Sequence, residues 1–306
     1  MVNSIEEKVL SEIDNLDDLY KGAHNIRSNG KAISRTSSKT ITISNKQDKA
    51  GINVVVSPDT KNESVHVPVI ISNSDITDTV YNTFDIGENS DVTIVAGCGI
   101  HNCTAQKTEH VGIHDLFVRK GSKVKYVEKH YAESEGESRK VFHTKTIIEV
   151  EENGTLEMEL VQIKGVDDSK KDLEVNLHKN AHLIITERIF TELNQEAKSN
   201  LIVNLIGEDA SAQTISRTVA KGESKQTFNF MINGKNKSRG HIECDSIIMD
   251  KAVVTSVPAL CASCEDAELI HEAAIGKIAS DQIMKLMSLG LTEEEAQETI
   301  LQGFLK

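Results

Sequence analysis

The chain has 306 residues, of which 47 are acidic and 34 are basic, so its formal net charge is −13. This charge argues against a nucleic-acid partner, because nucleic-acid binding needs a basic surface that displaces counterions. The 38% of hydrophobic residues can form a core. No run approaches the roughly 18 to 20 uncharged apolar residues of a membrane-spanning helix, so we expect no membrane partner.

The N-terminal segment, residues 1–35, is predicted to be helical. Apolar residues recur there every three positions, at Leu10, Ile13, Leu16 and Leu19. The segment is acidic and lacks the basic start and the roughly 7–15-residue apolar stretch of a secretory signal, which predicts a cytoplasmic location. Because cytoplasmic thiols stay reduced, the five cysteines are expected to bind metal or to react rather than to form disulfides.

Residues 36–262 carry the pattern of a mainly β domain. Short runs rich in Val, Ile and Thr predict strands, and a unit of small or turn-forming residues followed by an apolar position recurs among them. The unit begins at Asn89, Gly121, Asn153, Asn180 and Asp209, at intervals of 32, 32, 27 and 29 residues. This repeat predicts a β-solenoid, in which each coil buries its inward side chains against its neighbours. An antiparallel β-sandwich is the alternative.

After Pro258 the sequence becomes typical of helices. Residues 267–278 are rich in Ala and Glu, and Thr292 with Glu295 forms a capping-box pattern before a further helical stretch. We therefore predict a small helical domain over residues 263–306. An alternative role for its helices is to cap the exposed end of the solenoid.

Several enzyme signatures are absent from the sequence. The chain has no Walker A loop, no G-x-S-x-G, no H-E-x-x-H and no Rossmann glycine fingerprint. ATP binding through such a loop, and hydrolase, zincin and dehydrogenase activities, therefore have no support. We expect a protein that is not an enzyme.

Sulfur, imidazole and carboxylate groups are concentrated near the end of the β region. Cys244 lies in a predicted strand, and His271 and Glu272 open the predicted helical segment. A thiolate together with imidazole or carboxylate suits iron, zinc or an iron-sulfur cluster if the fold brings the segments together. The alternatives are a buried core cysteine at Cys244 and favourable helix-start electrostatics at Glu272.

Two further segments are secondary metal candidates. Cys261 and Cys264 form a lone C-x-x-C pair, and Cys98, His101 and Cys103 offer three potential ligands within six residues. An enzyme with a zinc site at Cys98 and Cys103 is a third functional hypothesis. The histidines of the middle section, at positions 110, 114, 130 and 143, fit hydrogen-bonded interior residues equally well.

The C-terminal residues resemble the signature of the SufB/SufD family. The matching segments are Cys244-Asp-Ser246, Val257-Pro258, His271-Glu-Ala-Ala-Ile-Gly-Lys-Ile278, Asp281-Gln282, Leu286-Met-Ser-Leu-Gly-Leu291, Glu293-Glu-Glu-Ala296 and Gly303-Phe304. Upstream, the segments Gly112-Ile-His114, Val124-Lys-Tyr126 and Lys129-His-Tyr131 fit the core of the same family. The resemblance covers roughly residues 90–306.

The resemblance implies a fold and a function. Family members are scaffolds of the SUF pathway of iron-sulfur cluster assembly, with a right-handed parallel β-helix core and a C-terminal helical domain that binds SufC, an ABC-type ATPase. It also implies that Cys244 and Glu272, with His271 beside them, hold a transient iron-sulfur cluster. These residues favour a SufB-like identity over a SufD-like structural subunit, which is the alternative. The resemblance leaves the involvement of a flavin open.

The sequence also departs from typical bacterial members of the family. It lacks the N-terminal cysteine cluster of many SufB proteins, and Ile270 stands where some of them carry an acidic residue. It resembles short scaffolds that pair with themselves, which implies a homodimer or an assembly of two scaffold and two ATPase chains. The ATPase is expected to dock on residues about 273–306, where Met284, Leu286, Met287 and Leu291 supply apolar contact as a helix does in a groove.

Overall fold

The fold is a parallel β-solenoid of about seven turns with short helices at both ends. It is seen in a computed structural model that describes residues 4–102, 106–134 and 138–306. The helices are α1 (Ser4–Ile13), α2 (Leu16–Leu19), α3 (Ser280–Ser288) and α4 (Glu293–Phe304). The mainly β prediction and the solenoid prediction are confirmed. No helix among the described residues is long and apolar enough to cross a membrane.

In the part of the chain that the structure describes, twenty strands form the solenoid and its N-terminal hairpins. The first ten are β1 (Ala23–Ser28), β2 (Lys31–Thr36), β3 (Ile41–Asn45), β4 (Gly51–Val56), β5 (Lys61–His66), β6 (Val69–Ile71), β7 (Thr77–Ile86), β8 (Asp91–Asn102), β9 (Thr108–Val118) and β10 (Lys123–Ser134). The last ten are β11 (Lys140–Val150), β12 (Thr155–Lys164), β13 (Asp168–Leu177), β14 (His182–Thr191), β15 (Glu196–Leu205), β16 (Ala210–Ala220), β17 (Lys225–Gly234), β18 (Ser238–Ile248), β19 (Val253–Ala262) and β20 (Ala267–Gly276).

From β7 onward, successive strands alternate between two sheets. The even-numbered strands run β8-β10-β12-β14-β16-β18-β20 in one sheet, and the odd-numbered strands run from β7 to β19 in the other. These neighbours are parallel, whereas the β1–β2 and β3–β4 pairs are antiparallel. Alternate residues of each strand are buried, because they point into the space between the two sheets.

The repeated unit of the sequence marks one column of turns. Each of its first residues has a positive φ, with values of 55° at Asn89, 70° at Gly121, 58° at Asn153, 52° at Asn180 and 58° at Asp209. Gly and Asn adopt this left-handed conformation at low cost, and Asp is also enriched there. The backbone amide of each residue donates a hydrogen bond to the next coil, as from Asn153 to the Lys179 carbonyl at 3.0 Å. The repeat therefore marks stacked turns.

Helix α1 covers the outer surface of the even-numbered sheet near its N-terminal end. Val9, Leu10 and Ile13 of the helix are buried. Gly97 on β8 permits this close approach, because a Cβ there would lie 2.8 Å from the Cβ of Ile13. The predicted N-terminal helix is confirmed, but residues 1–35 are not wholly helical, since β1 and most of β2 lie within them.

The prediction that residues 267–278 are helical is wrong. Ten of these residues form β20, which pairs in parallel with β18 from Ala267 to Gly276, and helix begins only at Ser280. Ala and Glu favour a helix intrinsically, but the edge of β18 offers a full ladder of backbone hydrogen bonds, and this tertiary context overrides the weak local preference. The capping box at Thr292 and Glu295 is present at the start of α4.

Candidate metal centre

Cys244 lies inside the solenoid near its C-terminal end. It is on the inward side of β18, where 3% of its surface is exposed. Its partners in register are Ser216 on β16 and Ala273 on β20. Because β20 is the last strand of this sheet, one strand separates Cys244 from the free edge.

The thiol of Cys244 is neutral at pH 7 in this environment. Its pKa is raised to about 11, chiefly by burial; a hydrogen bond with Ser256 opposes this rise, and the nearby Glu187 carboxylate adds to it. A metal ion or a sulfur-transfer reaction needs the thiolate. Binding of metal to Cys244 would therefore release a proton and would strengthen as pH rises.

His271 projects into the same interior as Cys244. It pairs in register with the buried Ile242, two positions before Cys244, so strand alternation places both side chains on one face. Burial lowers the pKa of His271, and the nearby His241 lowers it further. Its Nε2 is buried with no hydrogen-bond partner among the described residues. A neutral imidazole with an unpartnered nitrogen is a suitable ligand for iron or zinc.

Glu272 points to the outer face of the sheet instead. It pairs in register with Glu243, which is one residue before Cys244, and 66% of its side chain is exposed. Its Oε2 lies 3.6 Å from the Nε2 of His241. The structure thus brings Cys244 together with His271 and places Glu272 with His241. Among the described residues, no three His, Cys, Asp or Glu side chains are grouped to hold a metal ion.

His241 was not singled out from the sequence. Its relation to Glu272 depends on the register of β18 and β20, which the expected helix at residues 267–278 concealed. Glu187 was also missed. It lies inside the solenoid and accepts hydrogen bonds from Lys171 at 2.9 Å, Ser199 at 2.8 Å and Ser216 at 3.0 Å. A charged residue at an inward position of an alternating strand is the signal that would have identified it.

The last coil exposes apolar side chains that earlier coils bury. Leu260 on β19 and Ile275 on β20 follow the inward rows of their sheets, yet each is 42% exposed because no further coil covers them. Val253, Val257 and Ile270 on the outer faces are also exposed. The exposed edge of this last coil, formed by β19 and β20 and carrying these five residues, is called the open end below. Its strand β20 carries His271 and pairs with β18, which carries Cys244.

Cys98 and His101, the described members of the secondary metal candidate at residues 98–103, lie on opposite faces of β8. Cys98 points inward opposite His130, whereas strand alternation directs His101 to the opposite face. Cys103 lies outside the described residues. Cys261 is exposed and Cys264 is half-buried near the turn between β19 and β20. A zinc site at Cys98 and Cys103 therefore stays a prediction, because Cys103 is outside the described part of the chain.

Helix α3 presents the apolar residues that were expected to meet a partner. Met284 is 58% exposed and Met287 is 43% exposed, whereas Leu286 and Leu291 are half-buried. Leu289, which was not among the predicted contact residues, is the most exposed of these side chains at 73%. The helix has no buried residue and packs against α4.

The comparisons with known proteins identify the family. Residues 69–304 match the family model for the SufBD core domain of the SUF system of iron-sulfur cluster assembly. The chain belongs to the SufBD family. The matched range contains Cys244, His271, Glu272 and both C-terminal helices. The prediction that this is a SufB/SufD family protein is confirmed.

Curated relatives agree with this assignment. An iron-sulfur cluster assembly SufBD family protein of Archaeoglobus fulgidus is 32% identical over 228 residues, which are 74% of this chain and 60% of the relative. One from Methanocaldococcus jannaschii is 28% identical over 244 residues, 79% of this chain and 76% of the relative. One from Mycobacterium bovis is 24% identical over 242 residues, 74% of this chain and 27% of the relative. The matched part of the chain thus spans 60% of the Archaeoglobus relative.

Proposed function

We propose that this SufBD chain is a scaffold, not an enzyme, on which an iron-sulfur cluster is assembled as cargo. In this proposal Cys244 supplies the thiolate and His271 supplies a nitrogen ligand. The proposal adds specific residues and a mechanism to the family's role in cluster assembly. It also assigns the work of ATP hydrolysis to a SufC-like partner, because the chain has no Walker A loop.

The observation that supports the proposal is that the side chains of Cys244 and His271 lie on the same inner face of the sheet. The two side chains enter the same interior from adjacent strands, and the imidazole has a buried nitrogen without a described partner. One thiolate and one imidazole leave an iron site incomplete, so sulfide or another chain must supply the rest. Such a mixed ligand set holds a cluster less firmly than four thiolates, which suits a protein that passes its cluster on.

A second copy of the chain is the proposed source of further ligands. Both sheets end in free edge strands, β19 and β20, which present unpaired backbone groups and the apolar open end. Pairing of two open ends would cover these groups and would bring two copies of Cys244 to one interface. Glu272 and His241 lie on the outer face of that edge and are proposed to contribute across the dimer.

Helix α3 is the proposed contact for the ATPase. Its exposed Met284 and Met287, with the exposed Leu289 directly after its last residue, offer an apolar face that suits docking into a groove. The assembly would then contain two scaffold and two ATPase chains. Conformational work by the ATPases would act on the helices, which lie next to the open end in the chain.

A second candidate function is a structural subunit without cluster ligands of its own, as in SufD. The observation that favours it is that the described residues contain no group of three ligand side chains. This candidate keeps the ATPase contact and the dimer but places the cluster on another protein. It therefore predicts normal ATPase binding and no cluster.

Anaerobic reconstitution with ferrous iron and sulfide separates the two candidates. Wild type, Cys244→Ala and the matched control Cys98→Ala are compared by visible absorption and by iron and sulfide content. Both cysteines are buried on inward positions of the same sheet, so the control removes an equivalent thiol. The scaffold function predicts a chromophore in wild type and in Cys98→Ala, and its loss in Cys244→Ala.

Binding of the SufC-like ATPase is measured on the same samples. Retained binding in Cys244→Ala shows that the variant folds and that only cluster assembly is lost. A chromophore that survives in Cys244→Ala contradicts the assignment of the site. Absence of a chromophore in wild type, together with normal ATPase binding, favours the structural subunit.

A further inference from the structure

A basic cavity lies at the N-terminal end of the solenoid, far along the coils from Cys244. It has a volume of about 370 Å³ and lies between the β1–β2 and β3–β4 hairpins. Five cationic residues line it, namely Arg27, Lys31, Arg35, Lys46 and Lys49, and no acidic residue does. All five precede residue 69, where the match to the family model begins. The cavity is therefore a feature of this chain outside the matched core.

Most of this positive charge is not neutralised by carboxylates. Arg27 is paired with the buried Asp78, with 2.7 Å between Nη2 and Oδ1. In the part of the chain that the structure describes, the other four cations form no ion pair. Arg35 donates from Nε to the Asn25 side chain at 2.8 Å. Several unpaired like charges around one cavity repel one another, and in a chain of net charge −13 they are not a consequence of composition.

Neutral contacts fix the position of these cations instead. Lys46 donates from Nζ to the side chains of Asn53 at 2.9 Å and Thr83 at 2.8 Å. Lys49 lies over the Tyr81 ring, with its Nζ 4.5 Å from the centroid. These interactions orient the ammonium groups and leave their charge available. A ligand would therefore find preorganised donors, and less of its binding free energy would be lost in ordering side chains.

A larger cavity of the molecule has a lining of mixed charge, in contrast to the basic cavity. Its volume is about 590 Å³, and its lining mixes the carboxylates of Asp14, Asp18 and Glu63 with the cations of Lys21 and Lys129. Opposite charges there compensate one another within the protein. One other cavity, lined by Lys170, Lys171 and Lys198, also lacks carboxylates, but its volume is only about 10 Å³. Among the cavities described, only the cavity between the hairpins combines several cations, a lining free of carboxylates and room for a small ligand.

We propose that the cavity between the β1–β2 and β3–β4 hairpins binds a small polyanion that carries two or more phosphate or carboxylate groups. Its volume falls in the range of small-ligand sites. The Arg35 guanidinium can form paired hydrogen bonds to either kind of oxyanion, while Lys31, Lys46 and Lys49 act as point charges around it. The proposal is independent of the cluster site.

Titration calorimetry with the full chain tests the proposal, with sodium pyrophosphate and sodium citrate as separate probes. The variant Lys31→Gln/Lys49→Gln removes two cations that have no hydrogen-bond partner among the described residues, so its fold should persist. The matched control, Lys221→Gln/Lys251→Gln, changes the net charge equally on later coils. We expect binding to weaken about tenfold or more in the cavity variant and to stay within about twofold in the control.

Arg35→Gln provides a second variant, with thermal unfolding as a check on its fold. Binding of both probes, with loss confined to the cavity variants, supports a general polyanion site. Binding of pyrophosphate alone assigns the site to phosphates, and binding of citrate alone assigns it to carboxylates. Absence of binding by either probe, or equal weakening in the cavity variant and the control, overturns the proposal.

Discussion

Cys244 and Glu272 lie on neighbouring strands of one sheet but point to opposite faces of it. Glu272 is in register with Glu243, so it is offset by one residue from Cys244, and a one-residue offset reverses the face in a β-strand. Within one chain, the inner face therefore offers Cys244 and His271, and the outer face offers Glu272 and His241. A ligand set that uses all four must involve the edge of the sheet or a second chain.

This geometry predicts unequal effects for the two residues of the His-Glu pair. His271→Ala should reduce iron binding by at least about tenfold, because it removes the nitrogen that shares the interior with Cys244. Glu272→Ala should reduce iron binding by the isolated chain less than His271→Ala does. Its effect should be larger in the assembled dimer than in the isolated chain. Iron binding is measured anaerobically at protein concentrations below and above the dimer dissociation constant.

Glu243→Ala serves as the control for this comparison, because Glu243 lies on the same outer face directly opposite Glu272. It should bind iron as wild type does. If Glu272→Ala loses more iron than His271→Ala at low protein concentration, the interior pair does not form the primary site.

Burial of Cys244 predicts a slow reaction with alkylating reagents. Its pKa of about 11 leaves roughly one thiol in a thousand ionised at pH 8, whereas an ordinary exposed thiol is substantially ionised there. We expect iodoacetamide to modify Cys244 at least about a hundredfold more slowly than the exposed Cys261. Mass spectrometry of the labelled peptides measures both rates in one anaerobic sample.

Denatured protein supplies the control, since the two cysteines should then react at similar rates. Equal rates in the native protein would contradict the buried position of Cys244. A dimer that covers the open end should slow the reaction of Cys261 and leave the native rate of Cys244 low.

Much of the fold could be predicted from the sequence because the repeat has a local cause. Asn153 and its counterparts mark turns that need a left-handed residue, and the alternation between them marks the inward rows. The strand at residues 267–276 could not be predicted in this way. Its Ala and Glu content favours a helix, and only the edge of β18 makes the extended form stable. The pairing of His241 with Glu272 was hidden for the same reason.

The basic cavity illustrates a second limit of sequence analysis. Its cations are spread from Arg27 to Lys49 and form no motif. They converge because two hairpins fold beside each other. Cys244 could be selected from the sequence through its resemblance to known scaffolds, but the face to which it points required the strand register.

Leu193 occupies a turn in a conformation that disfavours it. Its φ is 55°, which is unfavourable for a residue with a Cβ, and 70% of its surface is exposed. Burial of the side chain therefore does not offset the strain of the backbone. The stacked turn of the next coil uses Gly222, with a φ of 74°, at the corresponding place. Leu193→Gly should raise the free energy of unfolding by about 0.5 to 1 kcal/mol, after allowance for the greater freedom of glycine in the unfolded chain.

Urea denaturation at pH 7 measures this change. Leu289→Gly is the matched control, because Leu289 is 73% exposed but has a φ of −90°. Glycine there should give no gain in stability. A loss of stability in Leu193→Gly would show that the leucine makes contacts that outweigh its backbone strain.

The low pKa of the buried His114 imidazole predicts that the folded protein loses stability in mildly acidic solution. Burial holds its pKa at about 4, and the neighbouring His110 and His130 act in the same direction against the attraction of Glu128. In the unfolded chain the pKa is near 6.5, so the unfolded state takes up a proton first as pH falls. The contribution of neutral His114 is complete above about pH 6.5 and disappears between pH 6.5 and 4. The full contribution to the free energy of unfolding is about 3 kcal/mol.

Replacing His114 with Leu should remove this contribution. The free energy of unfolding should then decrease less steeply as pH falls from 6.5 to 4. Asp78 and Glu128 do not obscure the result, since both have pKa values of about 2, and their contributions disappear as pH falls below about 4.5 toward that value. Urea denaturation at intervals between pH 7 and 4.5 measures the slope. His182→Gln, at an exposed position, should retain the wild-type slope. An unchanged slope in His114→Leu would show that other groups take up the proton on unfolding.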